Sequence, residues 1–175
     1  AVPPLELRQV AAGGILEHRQ PVLDGAGLPV MPLEIQIERL GIGFRPDQPA
    51  AESQQGIEVL RPRFFCVPGV LKFLDGVFMA LGARATVRRL RRAGRVDVIA
   101  AHFGYPDGYA ASLVARWEHL PFTVTLRGTE PRHARDPALR RRLVAGLVAA
   151  SRVFTVSASL QRAAVGLGIP QQSTR

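Results

Sequence analysis

The sequence is poor in the residues that cross-link a chain or bind metal ions. Cys66 is its one cysteine, so no disulfide can form within the chain, and no cysteine and histidine cluster has the spacing of a zinc site. Both absences are typical of a reducing, cytoplasmic setting. The most apolar segment, Phe64–Leu81, contains proline, glycine and charged residues. It therefore predicts no transmembrane helix, and no signal peptide is recognisable.

Three motifs of large enzyme classes are also missing. There is no G-x-S-x-G elbow and no Walker lysine, so neither a serine hydrolase nor a P-loop nucleotide hydrolase is indicated. No G-x-G-x-x-G follows a predicted strand, which disfavours a nicotinamide-binding Rossmann domain. The chemistry must therefore be sought in other polar residues.

Positive charge is abundant, and nearly all of it is arginine. The formal charge is +9, and Lys72 is the one lysine among 23 basic residues. This balance indicates an anionic partner (phosphate, nucleic acid or a membrane surface), or else arginines that coat solvent-facing helices. The run Arg88–Arg92 either stabilises a helix C-terminus or contacts a polyanion. No aromatic residue interleaves it, so nucleic acid is disfavoured, whereas the phenylalanines upstream keep membrane contact open.

The first third of the chain gives few structural signals. Prolines and glycines interrupt every candidate helix over residues 1–56, which we treat as a divergent or partly disordered part of the domain at 57–175. Leu33–Glu38 alternates apolar and polar residues and predicts a half-buried strand, whereas Asp47–Gln55 predicts a surface loop. No convincing strand precedes Gly13-Gly14, so that pair is interpreted as an ordinary turn.

Beyond residue 56, apolar strands alternate with amphipathic helices. We predict strands at 57–60, 96–101, 122–126 and 153–156, and helices at about 70–93, 108–118, 137–150 and 158–167. Asp136 before Pro137 and Ser157 before the last helix are predicted N-caps. This alternation predicts an α/β fold with a doubly wound, mostly parallel sheet and right-handed crossovers.

The carboxyl ends of parallel strands meet at one edge of the sheet, where ligands bind in such folds. Three loops are expected there: Ala101–Gly108, Arg127–Asp136 and Ser157–Ser159. Their polar residues suit an anion or a polyol. They are His102, Tyr105, Asp107, Arg127, Thr129, Glu130, Arg132, His133 and Ser157.

Several of these residues have two interpretations. Gly128 lets backbone approach a ligand, and Arg127 before it can grip a phosphate with two nitrogen atoms. Glu130 either pairs with Arg127 or contacts a sugar hydroxyl. His102 is either structural or ligand-binding, and Ser157 either caps a helix or accepts a phosphate. Asp107 is interpreted as a turn or cap residue.

The order and spacing of four blocks resemble the N-terminal, acceptor-side domain of a GT-B glycosyltransferase of family 4. The resemblance covers about residues 60–170. Its blocks are Asp97–His102 with Pro106–Gly108, Pro121–Glu130, Arg152–Ser157 with Ser159-Leu160, and Leu167–Pro170. It implies the Rossmann-like half of a GT-B fold, with a second domain across a cleft that holds most of the nucleotide sugar.

The resemblance also implies an activity: retaining transfer of a sugar from a UDP-, GDP- or ADP-sugar to a saccharide or lipid-linked acceptor, usually without a metal. The chain begins without methionine and ends at Arg175, so we expect a fragment that lacks the donor domain, binds no cofactor and is inactive alone. The expected acceptor or sugar contacts are His102, Tyr105, Arg127, Gly128, Thr129 and Glu130, and the expected phosphate contacts are Arg127, Arg132 and Ser157.

One residue departs from the family pattern. Many members have a histidine where Arg127 stands, and arginine cannot act as a base at neutral pH. We therefore expect Arg127 to bind phosphate or acceptor, and we assign no catalytic residue. The alternative to an enzyme is a non-catalytic α/β module that binds an anionic polymer or membrane. The expected location is cytoplasmic, with peripheral contact at the inner face of the plasma membrane.

Overall fold

A seven-stranded sheet forms the centre of the protein. The computed structural model describes residues 9–12, 33–35, 38–40, 51–54, 57–65 and 71–174. Its strands are β1 (Gln9–Ala12), β2 (Leu33–Ile35), β3 (Glu38–Leu40), β4 (Ala51–Gln54), β5 (Ile57–Leu60), β6 (Arg63–Phe65), β7 (Val98–His102), β8 (Phe122–Leu126) and β9 (Arg152–Thr155). The sheet order is β4-β5-β2-β1-β7-β8-β9, and every neighbouring pair is parallel except β4 with β5. The predicted α/β fold with a mostly parallel sheet is confirmed.

Helices connect the described strands from β6 onward and pack side by side. They are α1 (Asp75–Arg92), α2 (Tyr109–Glu118), α3 (Glu130–His133), α4 (Pro137–Ala149) and α5 (Ala158–Gly166), with 3₁₀ turns at Lys72–Leu74 and Gln171–Ser173 and a kinked turn at Gly104–Gly108 in which Tyr105 is extended. Helix α2 lies between α1 and α4. The predicted boundaries of α2, α4 and α5 are within one residue of those observed. The short helix α3 has no counterpart in the prediction.

The core lies between the sheet and these helices. Along β8 the burial alternates, so Phe122, Val124 and Leu126 are buried and the threonines between them are half-buried. Leu143 and Leu147 of α4 are almost fully buried in the same apolar cluster. Each fully buried large apolar side chain contributes about 1.5–3 kcal/mol, so this period-two pattern sets which face of β8 meets the helices.

The N-terminal part of the chain contains more strand than predicted. The sequence-based claim that no strand precedes Gly13-Gly14 is wrong, because β1 ends at Ala12 and pairs in parallel with both β2 and β7. Strand β1 is only four residues long and begins at the polar Gln9, so its apolar signal is short. The loop prediction at Asp47–Gln55 is wrong for β4, which is polar but lies at an edge of the sheet, where only one neighbour is needed.

The predicted strand at Leu33–Glu38 is partly correct. It contains β2, but β3 is a separate strand that pairs in parallel with β6 in a two-stranded sheet. Strands β1, β2 and β4 share the sheet of the later strands. The division of the chain between residues 56 and 57 stays a prediction, and the Gly13-Gly14 turn itself lies outside the described residues.

Between β1 and β7, the direction in which successive strands are added to the sheet reverses. The chain proceeds outward from β1 through β2 and β5 on one side, and through β7, β8 and β9 on the other. Ligands of doubly wound folds bind outside the carboxyl ends of the strands at such a switch point. Loop 103–108 after β7 and loop 127–136 after β8 both begin at this edge.

Candidate functional site

The Glu130 carboxylate joins the two loops at this edge. It is 1% exposed, and its oxygens accept hydrogen bonds from the backbone N–H groups of Gly104 (3.0 Å) and Gly128 (2.8 Å). Hydrogen bonds to a carboxylate are stronger than neutral ones, and the bond from Gly104 is buried while that from Gly128 is part-buried. In this geometry the carboxylate links the backbones of the two loops, and the predicted pairing with Arg127 and contact with a sugar hydroxyl stay predictions.

The residues just before Glu130 present unused hydrogen-bonding groups. Arg127 Nε and Thr129 Oγ1 are shielded from solvent and have no hydrogen-bond partner. Between them, Gly128 has a φ of +123°, and a Cβ built on it would meet no atom within 4 Å. Buried polar atoms normally have partners, so this loop keeps donor and acceptor capacity for a ligand that approaches over Gly128.

The Tyr105 side chain fixes the loop after β7 to the start of α1. The ring is 3% exposed, its hydroxyl donates to the backbone carbonyl of Lys72, and Gly76 N–H donates to the hydroxyl oxygen at 3.4 Å. Burial is the main cause that raises the pKa of Tyr105 to about 12. The Tyr105–Pro106 peptide is cis. Tyr105 is a predicted acceptor contact, and in this structure its hydroxyl forms hydrogen bonds with the backbone of Lys72 and Gly76.

His102 ends β7 opposite Thr125 of β8 and is half-buried. The next residue, Phe103, has a φ of +70°, which non-glycine residues rarely adopt. Two backbone hydrogen bonds hold it there: Phe103 N–H donates to Thr125 (2.8 Å) and its carbonyl accepts from Gly108 (3.0 Å). Such strain persists only where the surroundings determine the backbone, and it turns the chain sharply directly after His102.

His133 lies beside Tyr105 at the end of α3. The two rings meet edge to face with centroids 5.8 Å apart, and His133 Nδ1 is buried without a hydrogen-bond partner. Burial, and then the neighbouring Arg132 guanidinium, lower the pKa of His133, while Glu130 acts in the opposite direction. The ring is therefore neutral at physiological pH. Arg132 itself is exposed on the same helix.

Ser157 forms the helix cap that the sequence predicts. Its hydroxyl accepts from Leu160 N–H at 3.3 Å and lies 2.9 Å from the hydroxyl of Ser159. The side chain is exposed after β9, so a phosphate role for it stays a prediction. The structure thus joins the loops after β7 and β8 through Glu130, whereas no contact described here brings Ser157 to them.

Two residues of this edge were not among the predicted contacts. Lys72 precedes α1, and its carbonyl accepts from Tyr105; Arg142 of α4 places its guanidinium 4.9 Å from the centre of the Phe73 ring. The one sequence signal for Lys72 was its uniqueness among 22 arginines. Arg142 stands in a run of three arginines, and only the packing of α4 distinguishes it from its neighbours.

Two further properties bear on the chemistry. Among the described residues, no group of three or more histidine, cysteine, aspartate or glutamate side chains could hold a metal ion. In the same residues, we find no helix with the length and apolar character needed to cross a membrane.

Comparison with known proteins gives matches over most of the chain. The Glycosyltransferase Family 4 model matches residues 42–175. TuaC of Bacillus subtilis (strain 168), provisionally named as a teichuronic acid biosynthesis glycosyltransferase, is 33% identical over 84 residues, which are 47% of this chain and 21% of that protein. The chain thus matches about a fifth of the length of that relative.

Comparison with solved structures gives matches at low sequence identity. One from Listeria monocytogenes, provisionally named as a UDP-N-acetylglucosamine 2-epimerase, has a TM-score of 0.50 at 10% identity, over 97% of this chain and 45% of that one. The UDP-GlcNAc 2-epimerase of Neisseria meningitidis, solved with UDP-GlcNAc, has a TM-score of 0.42 at 14% identity, over 66% of this chain and 37% of that one. At 10% identity, the likeness to the Listeria monocytogenes structure concerns the fold alone.

Proposed function

The chain belongs to Glycosyltransferase Family 4, and on that premise we propose that it is the acceptor-binding domain of a retaining enzyme that transfers a sugar from a nucleotide sugar. The acceptor is a saccharide or a lipid-linked acceptor. The similarity to TuaC supports this proposal, since that protein is named for the synthesis of a glycan. The donor is a UDP-, GDP- or ADP-sugar.

One observation carries the proposal: the open loop at Arg127–Thr129. Its arginine and hydroxyl groups have buried, unpartnered atoms, its glycine leaves the space above the backbone free, and Glu130 holds it rigidly to the loop after β7. Pre-organised donors of this kind stabilise negative charge without reorganisation during a reaction. A phosphate or a hydroxyl-rich sugar satisfies the unused groups.

The side chains of this loop and of β7 differ in the chemistry they can provide. Arg127 stays protonated, so its part is to bind a phosphate or an acceptor oxygen, and it removes no proton. His102 is the last residue of β7, at the carboxyl end of the strand, where its imidazole contacts acceptor or sugar. Thr129 offers a hydroxyl that can both donate and accept. Together these groups orient the acceptor for attack, a positioning effect that contributes strongly to rate.

Transfer needs a donor site as well, which we assign to a second domain outside these residues. The test is a transfer assay by mass spectrometry with UDP-, GDP- and ADP-sugars and a panel of saccharide acceptors. The protein that carries this domain should form a glycosylated product, and the purified 175-residue chain should form none. Turnover by the chain alone would contradict the two-domain assignment, and no product from the larger protein with any donor would contradict the proposed activity.

A second candidate, contact with an anionic membrane surface, is favoured by the solvent-facing side of α1. Arg88, Arg89, Arg91 and Arg92 are exposed there, and Leu81 on the same helix is 54% exposed. Basic and apolar residues together bind anionic lipid surfaces, and salt weakens the electrostatic part. Sedimentation with phosphatidylglycerol vesicles tests this candidate. Equal binding to phosphatidylcholine vesicles, or binding insensitive to salt, would count against it.

A further inference from the structure

One carboxylate contacts both loops of the candidate site. Oε1 of Glu130 accepts from the backbone N–H of Gly104, in the loop after β7, and Oε2 accepts from the backbone N–H of Gly128, in the loop after β8. Glu130 is 1% exposed, so water competes little for its oxygens. Any displacement of the carboxylate therefore reaches the backbone of both loops.

The loop after β7 is packed closely where it meets this carboxylate. A Cβ built on Gly104 would lie 2.3 Å from Leu143 Cδ1 and 3.2 Å from Glu130 Cγ, so the backbone lies directly against these side chains. Phe103, just before it, donates its N–H to a carbonyl of β8 at 2.8 Å and has a φ of +70°. His102 is therefore joined to a backbone that β8 and Glu130 both hold in place.

The loop after β8 is held by a backbone N–H, while the space beside its glycine stays open. Gly128 has a φ of +123°, and a Cβ built on it would meet no described atom within 4 Å. On either side of it, Arg127 Nε and Thr129 Oγ1 are shielded from solvent and have no hydrogen-bond partner among the described residues. Because glycine is the least restricted residue type, the bond from Gly128 to Glu130 restrains the segment that carries these polar groups.

The relative position of the two loops decides whether they can bind one ligand together. Groups that are fixed in advance lose less entropy when a ligand binds, and His102 and Arg127 lie on different loops. We propose that Glu130 is a positioning residue of the transfer reaction: it acts on the acceptor through the two loops and makes them bind it as one unit. The inference rests on the proposed function, because it assumes that both loops contact the acceptor.

A double-mutant cycle measures this coupling in the protein that carries the domain, with whichever panel saccharide gives product. His102→Gln and Arg127→Gln should not be independent: the double variant should lose less kcat/KM for the acceptor than the product of the two single losses, by about threefold or more. In a Glu130→Gln background the two losses should simply multiply, because the loops are no longer joined. Coupling of the same size in both backgrounds would overturn the proposal.

The steady-state constants separate positioning from a simple loss of folded protein. Glu130→Gln should raise the KM for the acceptor about fivefold or more and leave the KM for the nucleotide sugar unchanged. A variant that only reduces the folded fraction lowers kcat and leaves both KM values as they are, and that result for Glu130→Gln would overturn the proposal. Glu118→Gln is the matched control, because Glu118 is also buried but lies on α2 and pairs with Arg84 at 3.6 Å. Both of its KM values should equal those of the parent.

Amide hydrogen exchange tests the link between the loops without any substrate. In the parent chain, the Gly104 and Gly128 amides should exchange about a hundredfold or more slowly than in an unfolded chain, because both are held in hydrogen bonds. In Glu130→Gln, whose fold circular dichroism checks, at least one of them should exchange about tenfold faster or more, whereas Glu118→Gln should leave both unchanged. Exchange of both amides at the unfolded rate in the parent would overturn the proposal even if every variant folded poorly.

The positioning role and the proposed function fail through different results. Transfer by the larger protein with an acceptor KM that Glu130→Gln does not change would remove the positioning role and leave the function. Slow exchange of the two glycine amides without transfer to any acceptor would leave a link between the loops and remove both the function and the positioning role that rests on it.

Discussion

Glu130→Gln tests the inference that one buried carboxylate holds the two loops of the site together. Glutamine has the same shape, but its single side-chain oxygen can accept from only one of the two N–H groups, of Gly104 or Gly128. The amide nitrogen then faces the other N–H, which has no acceptor. Loss of one charged hydrogen bond plus an unsatisfied donor beside it costs about 2–4 kcal/mol of folding free energy.

Urea unfolding followed by circular dichroism measures this change. The midpoint should fall at an unchanged slope, and the thermal midpoint should drop by on the order of 10 °C for a chain of this size. Glu58→Gln is the matched control, because Glu58 pairs with Arg95 at the partly exposed rim, and such pairs contribute about 0–1 kcal/mol. A Glu130→Gln loss no larger than that of Glu58→Gln would refute the reasoning.

Three other predictions concern single residues. The pKa of His133 is lowered in the folded protein, so the unfolded chain binds a proton at a higher pH, near the ordinary pKa of about 6.5. The free energy of unfolding should therefore fall as pH drops below that value. Urea midpoints between pH 5 and 8 measure this fall, which His133→Gln should reduce. Gly146→Ala should lower the free energy of unfolding by about 1–3 kcal/mol, because the new Cβ would lie 3.0 Å from Tyr109 backbone atoms. Gly166→Ala, whose Cβ would meet nothing within 4 Å, should be neutral or stabilising by about 0.5 kcal/mol. Thermal unfolding in which the two variants behave alike would contradict this. Asp136→Ala should cost about 1 kcal/mol, since its side chain accepts two N–H groups at the start of α4, and an unchanged urea midpoint would count against the cap.

The last three strand–helix units could be predicted because their signals are local. Strand β8 is a continuous apolar and β-branched run, and the pair Asp136-Pro137 sets the start of α4 within the sequence itself. Strand β1 lacked such a signal, because hydrogen bonds to β2 and β7 on both sides determine it rather than its own four residues.

The positions of the candidate residues in the fold could be predicted from the sequence, but their contacts could not. Loop positions followed from strand ends, which brought His102, Arg127 and Glu130 to the expected edge. The role of Glu130 depends on a contact with Gly104, 26 residues away, which no local pattern encodes. The same is true of Lys72, whose neighbours Tyr105 and His133 come from later segments.

The most direct test of the acceptor-domain assignment is a kinetic comparison of Arg127→Gln with the parent in the protein that carries this domain. Loss of a charged donor from the acceptor side should raise the KM for acceptor about tenfold or more and leave the KM for nucleotide sugar unchanged. Arg135→Gln, an exposed arginine of the same loop, should match the parent in both. A raised KM for the nucleotide sugar with an unchanged KM for acceptor would contradict the assignment.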